Sequence, residues 1–278
     1  GLVDERNQLI VTIDALKSGL AWIDNERFVV VMTNTFALDR IFIVRLGDVL
    51  PNGEQDIIPE GIVEGDYLVG QVAAQRLFYT YRDPAVSPDG QWVAFARLYF
   101  DNNQTPDDRS DDEYEQQAIF AFNLNDGRTV RVTNGSAREN EPTWSPDGSS
   151  IAFVANTAEA SLPEIFRVPF NPDAPAEARA IGGPITDGRQ RLTFTVDQLK
   201  LPESSFEPSW ARDGQIVFTS TRRVPCSSQR IRNLWIMNGD GSNQRPLVVG
   251  EEDDNFPSVV NSNLASPETA RMLVFSSR

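Results

Sequence analysis

Short runs of apolar residues recur along the chain, among them "WVAFAR" from Trp92, "IAFVAN" from Ile151, "EIFRVPF" from Glu164, "QIVFTS" from Gln215 and "NLWIMN" from Asn233. They are rich in β-branched and aromatic residues and bounded by Gly, Pro, Asp and Asn, the pattern of strands separated by turns. The runs fall into groups of four. From Pro142 an inner strand ends at Trp144, and "IAFVAN", "EIFRVPF" and "RQRLTF" from Arg189 follow. From Pro84 come "WVAFAR", "AIFAFNL" and "RTVRVTNG"; from Pro208 come "QIVFTS", "NLWIMN" and "QRPLVVG". An N-terminal group holds "LAWIDNERFVVVMT" from Leu20 and "RIFIVRL" from Arg40, with no fourth strand evident between Gly53 and Arg82. A last group runs from Pro257 to "MLVFSS" at Met272.

The first hairpin of three of these groups carries a recurring phrase: "DPAVSPDGQWV" at Asp83, "EPTWSPDGSSI" at Glu141 and "EPSWARDGQIV" at Glu207. Its turn has a mechanism. Pro sets φ at the first corner, Asp bonds back to its own backbone, and Gly accepts the positive φ that closes the hairpin. Asp89 with Gly90, Asp147 with Gly148 and Asp213 with Gly214 are therefore structural turn residues. Repeats about 50 to 65 residues apart, each supplying four strands, predict an all-β propeller with units near 20–83, 84–141, 142–207, 208–256, and 257–278 joined by 1–19. The expectation is one domain over 1–278, with about five blades (six as the alternative). A ring needs its edges closed. The run "NQLIVTI" from Asn7 is expected to add to the last blade beside "MLVFSS".

The order Pro, one residue, Trp, Ser-Pro-Asp-Gly, a short gap and Ile-Ala-Phe resembles the repeat of TolB-like β-propellers, found also in the propeller halves of prolyl-oligopeptidase-type proteins. The copies at Pro84 and Pro142 match closely. The copy at Pro208 has Ala-Arg for Ser-Pro, and those at Leu20 and Pro257 lack the Asp-Gly. The resemblance implies a non-enzymatic recognition role in the bacterial cell envelope, hence a periplasmic or extracytoplasmic setting. The alternative it implies is an accessory propeller of a larger hydrolase or peptidase whose catalytic domain is absent from this chain.

Charge and composition narrow the chemistry. The net charge of −15 repels phosphate backbones, which sets nucleic acid aside and favours a protein partner with a basic surface. Histidine is absent, so Ser-His-Asp and Cys-His machineries and imidazole metal sites cannot be assembled from this chain. Cys226 is the single cysteine, which rules out an intramolecular disulfide. No apolar window approaches 18 residues, so no membrane span is expected, and the protein is expected to be a monomer.

In a propeller the segments entering the inner strands surround one channel mouth. Asp83, Glu141, Glu207 and Asp254 stand just before the recurring prolines, and they are the candidate binding residues of that rim. Convergent carboxylates suit a basic peptide or calcium, the one cofactor considered. The competing reading is ordinary solvated charge. The acidic run Asp101 to Glu115 lacks the oxygen spacing of a calcium loop and reads, like the excursion from Asn171, as a disordered insertion. Trp22, Trp144 and Trp210 recur on the inner strands and are assigned, with Trp92 and Trp235, to packing.

Overall fold

A computed structural model provides the coordinates. It describes residues 2–3, 9–10, 19–33, 39–63, 77–101, 113–135, 137–156, 162–173, 188–194, 203–224, 231–250, 253–259 and 273–277. These form only strands and their connections. β1 (Leu2–Val3) and β2 (Leu9–Ile10) pair with each other. Then come β3 (Leu20–Trp22), β4 (Arg27–Thr33), β5 (Asp39–Val49) and β6 (Gln55–Ile62), hydrogen-bonded antiparallel in chain order. The same meander repeats as β7 (Leu77–Val86), β8 (Trp92–Asp101), β9 (Glu113–Asn123) and β10 (Thr129–Arg131). It repeats again as β11 (Arg138–Trp144), β12 (Ser150–Asn156), β13 (Glu164–Pro169) and β14 (Gln190–Arg191). A fourth copy is β15 (Ser205–Trp210), β16 (Gln215–Ser220), β17 (Asn233–Asn238) and β18 (Arg245–Val248). The described strands end with the pair β19 (Asp254–Val259) and β20 (Leu273–Ser277).

The chain divides into two compact units, residues 1–131 and 132–278. In the first, β4 buries both faces. Val29 and Val31 join Ile41, Tyr81, Val93, Phe95 and Phe120 in one cluster, while Phe28, Val30 and Met32 join Phe42 and Val44 in another. A two-residue period with both faces apolar is what a strand covered on each side requires. The second unit packs Ala152, Val154 and Ile165 with Trp210, Ile216, Phe218, Trp235 and Met237.

The structure departs from the sequence pattern at several places. The missing fourth strand of the N-terminal group is β6, which holds Pro59 and Gly61 and meets β5 through two register shifts. An outer strand tolerates both residues, because its free side needs no N–H. The acidic run is not all insertion: Asp101 ends β8 and Glu113 to Glu115 begin β9, with 102–112 outside the described residues. The expected addition of the N-terminal run to the last strand pair is not among the described pairings. Leu9–Ile10 instead meets Leu2–Val3, a contact that closes a far smaller loop and orders less chain. Cys226 lies outside the described residues. No described helix is long and apolar enough to cross a membrane.

Trp144, Trp210, Trp92 and Trp235 are buried, but Trp22 is 52% exposed. Its ring meets Phe28, its register partner, at 5.2 Å. Trp144 is walled by Phe170 beyond the third strand, and Trp210 lies under Arg167.

Candidate functional site

Four of the inner strands, β7, β11, β15 and β19, are broken at a Pro by a register shift, at Arg82/Ala85, Asn140/Thr143, Phe206/Ser209 and Asn255/Ser258. The residue just before the Pro has left-handed backbone: φ is 53° at Asp83, 52° at Glu141, 55° at Glu207 and 54° at Phe256. Gly19, which precedes Leu20 at the matching place in the N-terminal group, has φ 136°. A positive φ is uncommon outside Gly, and a residue ahead of Pro is normally extended. Holding it there costs roughly 1–3 kcal/mol per position, so something must over-determine it.

The second unit shows what does. Pro brings no N–H to the bulge, so the donor left over belongs to the residue before it. Glu207 N–H donates to Glu141 Oε2 at 2.6 Å, and Phe256 N–H donates to Glu207 Oε2 at 2.7 Å. The Thr219 hydroxyl donates to the same Glu207 oxygen at 2.7 Å. A second rung runs parallel: Trp210 N–H donates to Thr143 Oγ1 at 3.2 Å, and Val259 N–H to Ser209 Oγ at 3.0 Å. Thus β11 is tied to β15 and β15 to β19 by side chains repeated at the same places.

Of the four candidate rim residues, Glu141 and Glu207 are half-buried and spend a carboxylate oxygen on the next inner strand. Asp83 takes the equivalent backbone conformation in the first unit. Asp254 is different. It is 2% exposed, its N–H donates to the Arg232 carbonyl, and its Oδ2 has no hydrogen-bond partner. Among the described residues, no group of three or more His, Cys, Asp or Glu side chains is placed to hold a metal ion.

The turn residues form a second polar region. Asp89, Asp147 and Asp213 accept the N–H two residues on, from Gln91, Ser149 and Gln215, at 3.0–3.1 Å, and Gly90, Gly148 and Gly214 have φ of 69°, 72° and 85°. Hydrogen bonds from the Ser145 hydroxyl and from Ser149 hold the Asp147 carboxyl down at about 2. In the second unit the β11–β12 and β15–β16 turns flank an open cleft of about 380 Å³, lined by Asp147, Ser149, Arg167, Trp210, Arg212 and Asp213. Arg167 reaches it from the third strand and donates to the Gly239 carbonyl at 3.3 Å. Sequence spacing gives no sign of this cleft, because its lining comes from two turns 66 residues apart and from a third strand.

Buried ion pairs, also unseen in the sequence, mark the second unit. Arg189 Nη2 lies 3.0 Å from Glu139 Oε1 and Arg191 Nη2 lies 2.9 Å from Glu164 Oε1, while Arg222 Nε is 3.8 Å from Glu203 Oε2. Glu139 also accepts from the Thr133 hydroxyl and from Gly135 N–H. Burial nevertheless wins and pushes its carboxyl above the ordinary range, against the pull of Arg189 and those donors.

No protein-family model matches the chain. Over 138 residues, half of the chain, it is 24% identical to an uncharacterized peptidase, YuxL, of Bacillus subtilis, and it covers 17% of that protein. Similar solved structures include a putative TolB from Agrobacterium tumefaciens, 17% identical with a TM-score of 0.45, covering 80% of this chain and 64% of that one. TolB from Acinetobacter baumannii is also 17% identical at TM-score 0.45, with 85% of this chain and 46% of that one covered. The chain therefore spans less than two thirds of the length of each.

Proposed function

We propose that the chain is a TolB-like β-propeller of about five blades, acting as a non-enzymatic, monomeric recognition module that holds a basic protein partner in the cell envelope. The observation that carries this reading is the repeated inner-strand device: a left-handed residue at the same place in successive meanders, and, in the second unit, two parallel rungs tying β11 to β15 and β15 to β19. Repetition of that kind builds a scaffold whose site depends on the side chains mounted on it. A net charge of −15 directs such a scaffold toward cationic surfaces. A basic partner is favoured over calcium because Glu141 and Glu207 already commit an oxygen each to a backbone N–H, whereas calcium takes six to eight oxygens.

The test is titration of a fluorescent arginine- and lysine-rich peptide, with an acidic peptide as control, at low and high salt. The expected result is saturable binding of the basic peptide alone, weakening as salt rises. Equal binding of both peptides, or none at low salt, overturns the reading.

The match to a stretch of a peptidase more than five times longer than the matched part supports a second reading, an accessory propeller within a larger hydrolase. With no histidine in this chain, the catalytic residues would lie elsewhere in that protein. A reading frame that continues into an α/β-hydrolase with a nucleophile elbow would establish it, and one without such a domain would remove it.

A further inference from the structure

In the third meander a buried carboxylate, a second-strand phenylalanine and an arginine form one assembly. Glu139 stands three residues before Pro142 on β11 and opposite Ala155 on β12. Phe153 lies two residues before Ala155, on the same face by strand alternation. Arg189 pairs with Glu139 and lies 5.8 Å over the Phe153 ring. The fourth meander varies the theme: Ser205 stands at the place of Glu139, and Arg222 lies beside Glu203, two residues further back, and 5.6 Å over Phe218, the matching residue of β16. In both, the phenylalanine is fully covered.

The pair β19–β20 carries two thirds of this assembly. Asp254 is three residues before Pro257 and opposite Ser277, and Phe275 lies two residues before Ser277. Asp254 is 2% exposed with Oδ2 unpartnered, while Phe275 is 38% exposed. The four buried acids among the described residues of the second unit are Glu139, Glu164, Glu203 and Asp254. The first three have an arginine within 4 Å. Arg232, the neighbouring cation, is committed elsewhere: Nη1 donates to Asn255 Oδ1 at 2.8 Å and its guanidinium lies 4.8 Å from the Phe206 ring. A buried carboxyl oxygen without a donor is costly, and a donor brought to it would relieve that cost.

We propose that Asp254 and Phe275 form the receiving site for an arginine side chain of the partner protein, presented by an extended segment lying along the β20 edge, which among the described residues is unpaired. The guanidinium bonds the Asp254 carboxyl and stacks on Phe275, as Arg189 does on Glu139 and Phe153. A metal fits poorly, since a single carboxyl supplies too few oxygens. This rests on the recognition reading above and names the chemistry of its anchor.

The test is an NMR titration of the full chain with N-acetyl-arginine methylamide, its neutral citrulline analogue, and calcium chloride. The arginine compound is expected to shift the amides of residues 254–256 and 275–277 saturably, and the citrulline compound and calcium are not. Asp254→Asn is expected to weaken the arginine response at least tenfold and, by removing an unpartnered buried carboxyl, to raise the thermal midpoint of the unliganded protein. Asp253→Asn, an exposed neighbour, leaves both unchanged. An equal response in Asp254→Asn, an equal response to citrulline, a calcium response at these amides, or no saturable shift overturns the proposal. If the basic peptide still binds in a salt-dependent way while the arginine compound does not, this site falls and the recognition reading stands. If neither binds, both fall.

Discussion

Glu141 Oε2 accepts the backbone N–H of Glu207 at 2.6 Å, joining two inner strands through residues 66 positions apart. The bond meets the one donor that the bulge would otherwise leave unpaired, and so it stabilises a backbone conformation the residue would not choose. A Gln at 141 keeps an acceptor there; an Ala does not. Glu141→Ala is expected to lower stability by about 1–3 kcal/mol and Glu141→Gln by less than half of that, in chemical denaturation. Equal losses would mean that charge, not acceptance of the N–H, matters at this position.

The Glu139–Arg189 pair should behave as a unit, since either partner alone leaves a buried charge. Arg189→Met is expected to cost roughly 3–5 kcal/mol, with much of it recovered in Glu139→Gln/Arg189→Met. The folded-state carboxyl of Glu139 titrates above its ordinary 4.5. The folded protein thus binds that proton more readily than the unfolded chain, and stability contributed there falls as pH rises from about 4.5 through the raised value. Glu139→Gln should remove this decline, as read from unfolding midpoints across that range.

Asp147 has the opposite sign. Its folded carboxyl titrates at about 2 instead of the ordinary 3.8, so its contribution is present above 3.8 and is lost as pH falls between the two values. The side chain is exposed, and solvent screening limits the effect to below about 1 kcal/mol. Wild type should lose slightly more stability than Asp147→Asn between pH 4 and 2 in paired thermal melts.

At Gly239 the limit is space. A Cβ there would meet the buried Trp210 Cζ2 at 2.8 Å and the Gly214 carbonyl oxygen at 2.9 Å. Gly239→Ala is expected to cost about 1–3 kcal/mol by overpacking. In the first unit Gly61→Ala, whose Cβ has a nearest neighbour at 3.7 Å, should be neutral or mildly stabilising, and denaturant midpoints separate the two.

Strand and hairpin positions were legible because they depend on local pattern. "QIVFTS" and "NLWIMN" coincide with β16 and β17, and the Asp-Gly turns close the hairpins with the bonds their residue types prescribe. β6 was hidden because Pro59 and Gly61 look like turn residues in a strand whose outer position tolerates them. The left-handed residue before each Pro ran against the usual preference of that position. At Glu207 and Phe256 the stabilising carboxylate comes from another repeat, so nothing local announces it. The rim acids read in the sequence as candidate binding residues, with solvated charge as the competing reading; Glu141 and Glu207 each give an oxygen to a backbone N–H, and Asp254 is buried.

The most direct test of the repeated clamp is native-state amide exchange at Phe256, whose N–H donates to Glu207 Oε2 at 2.7 Å although its side chain is 68% exposed. Slow exchange is expected in wild type and in Glu207→Gln, with fast local exchange in Glu207→Ala while the amides of β16 and β17 stay protected. Equal protection of the Phe256 amide in Glu207→Ala would mean that the carboxylate does not hold this strand.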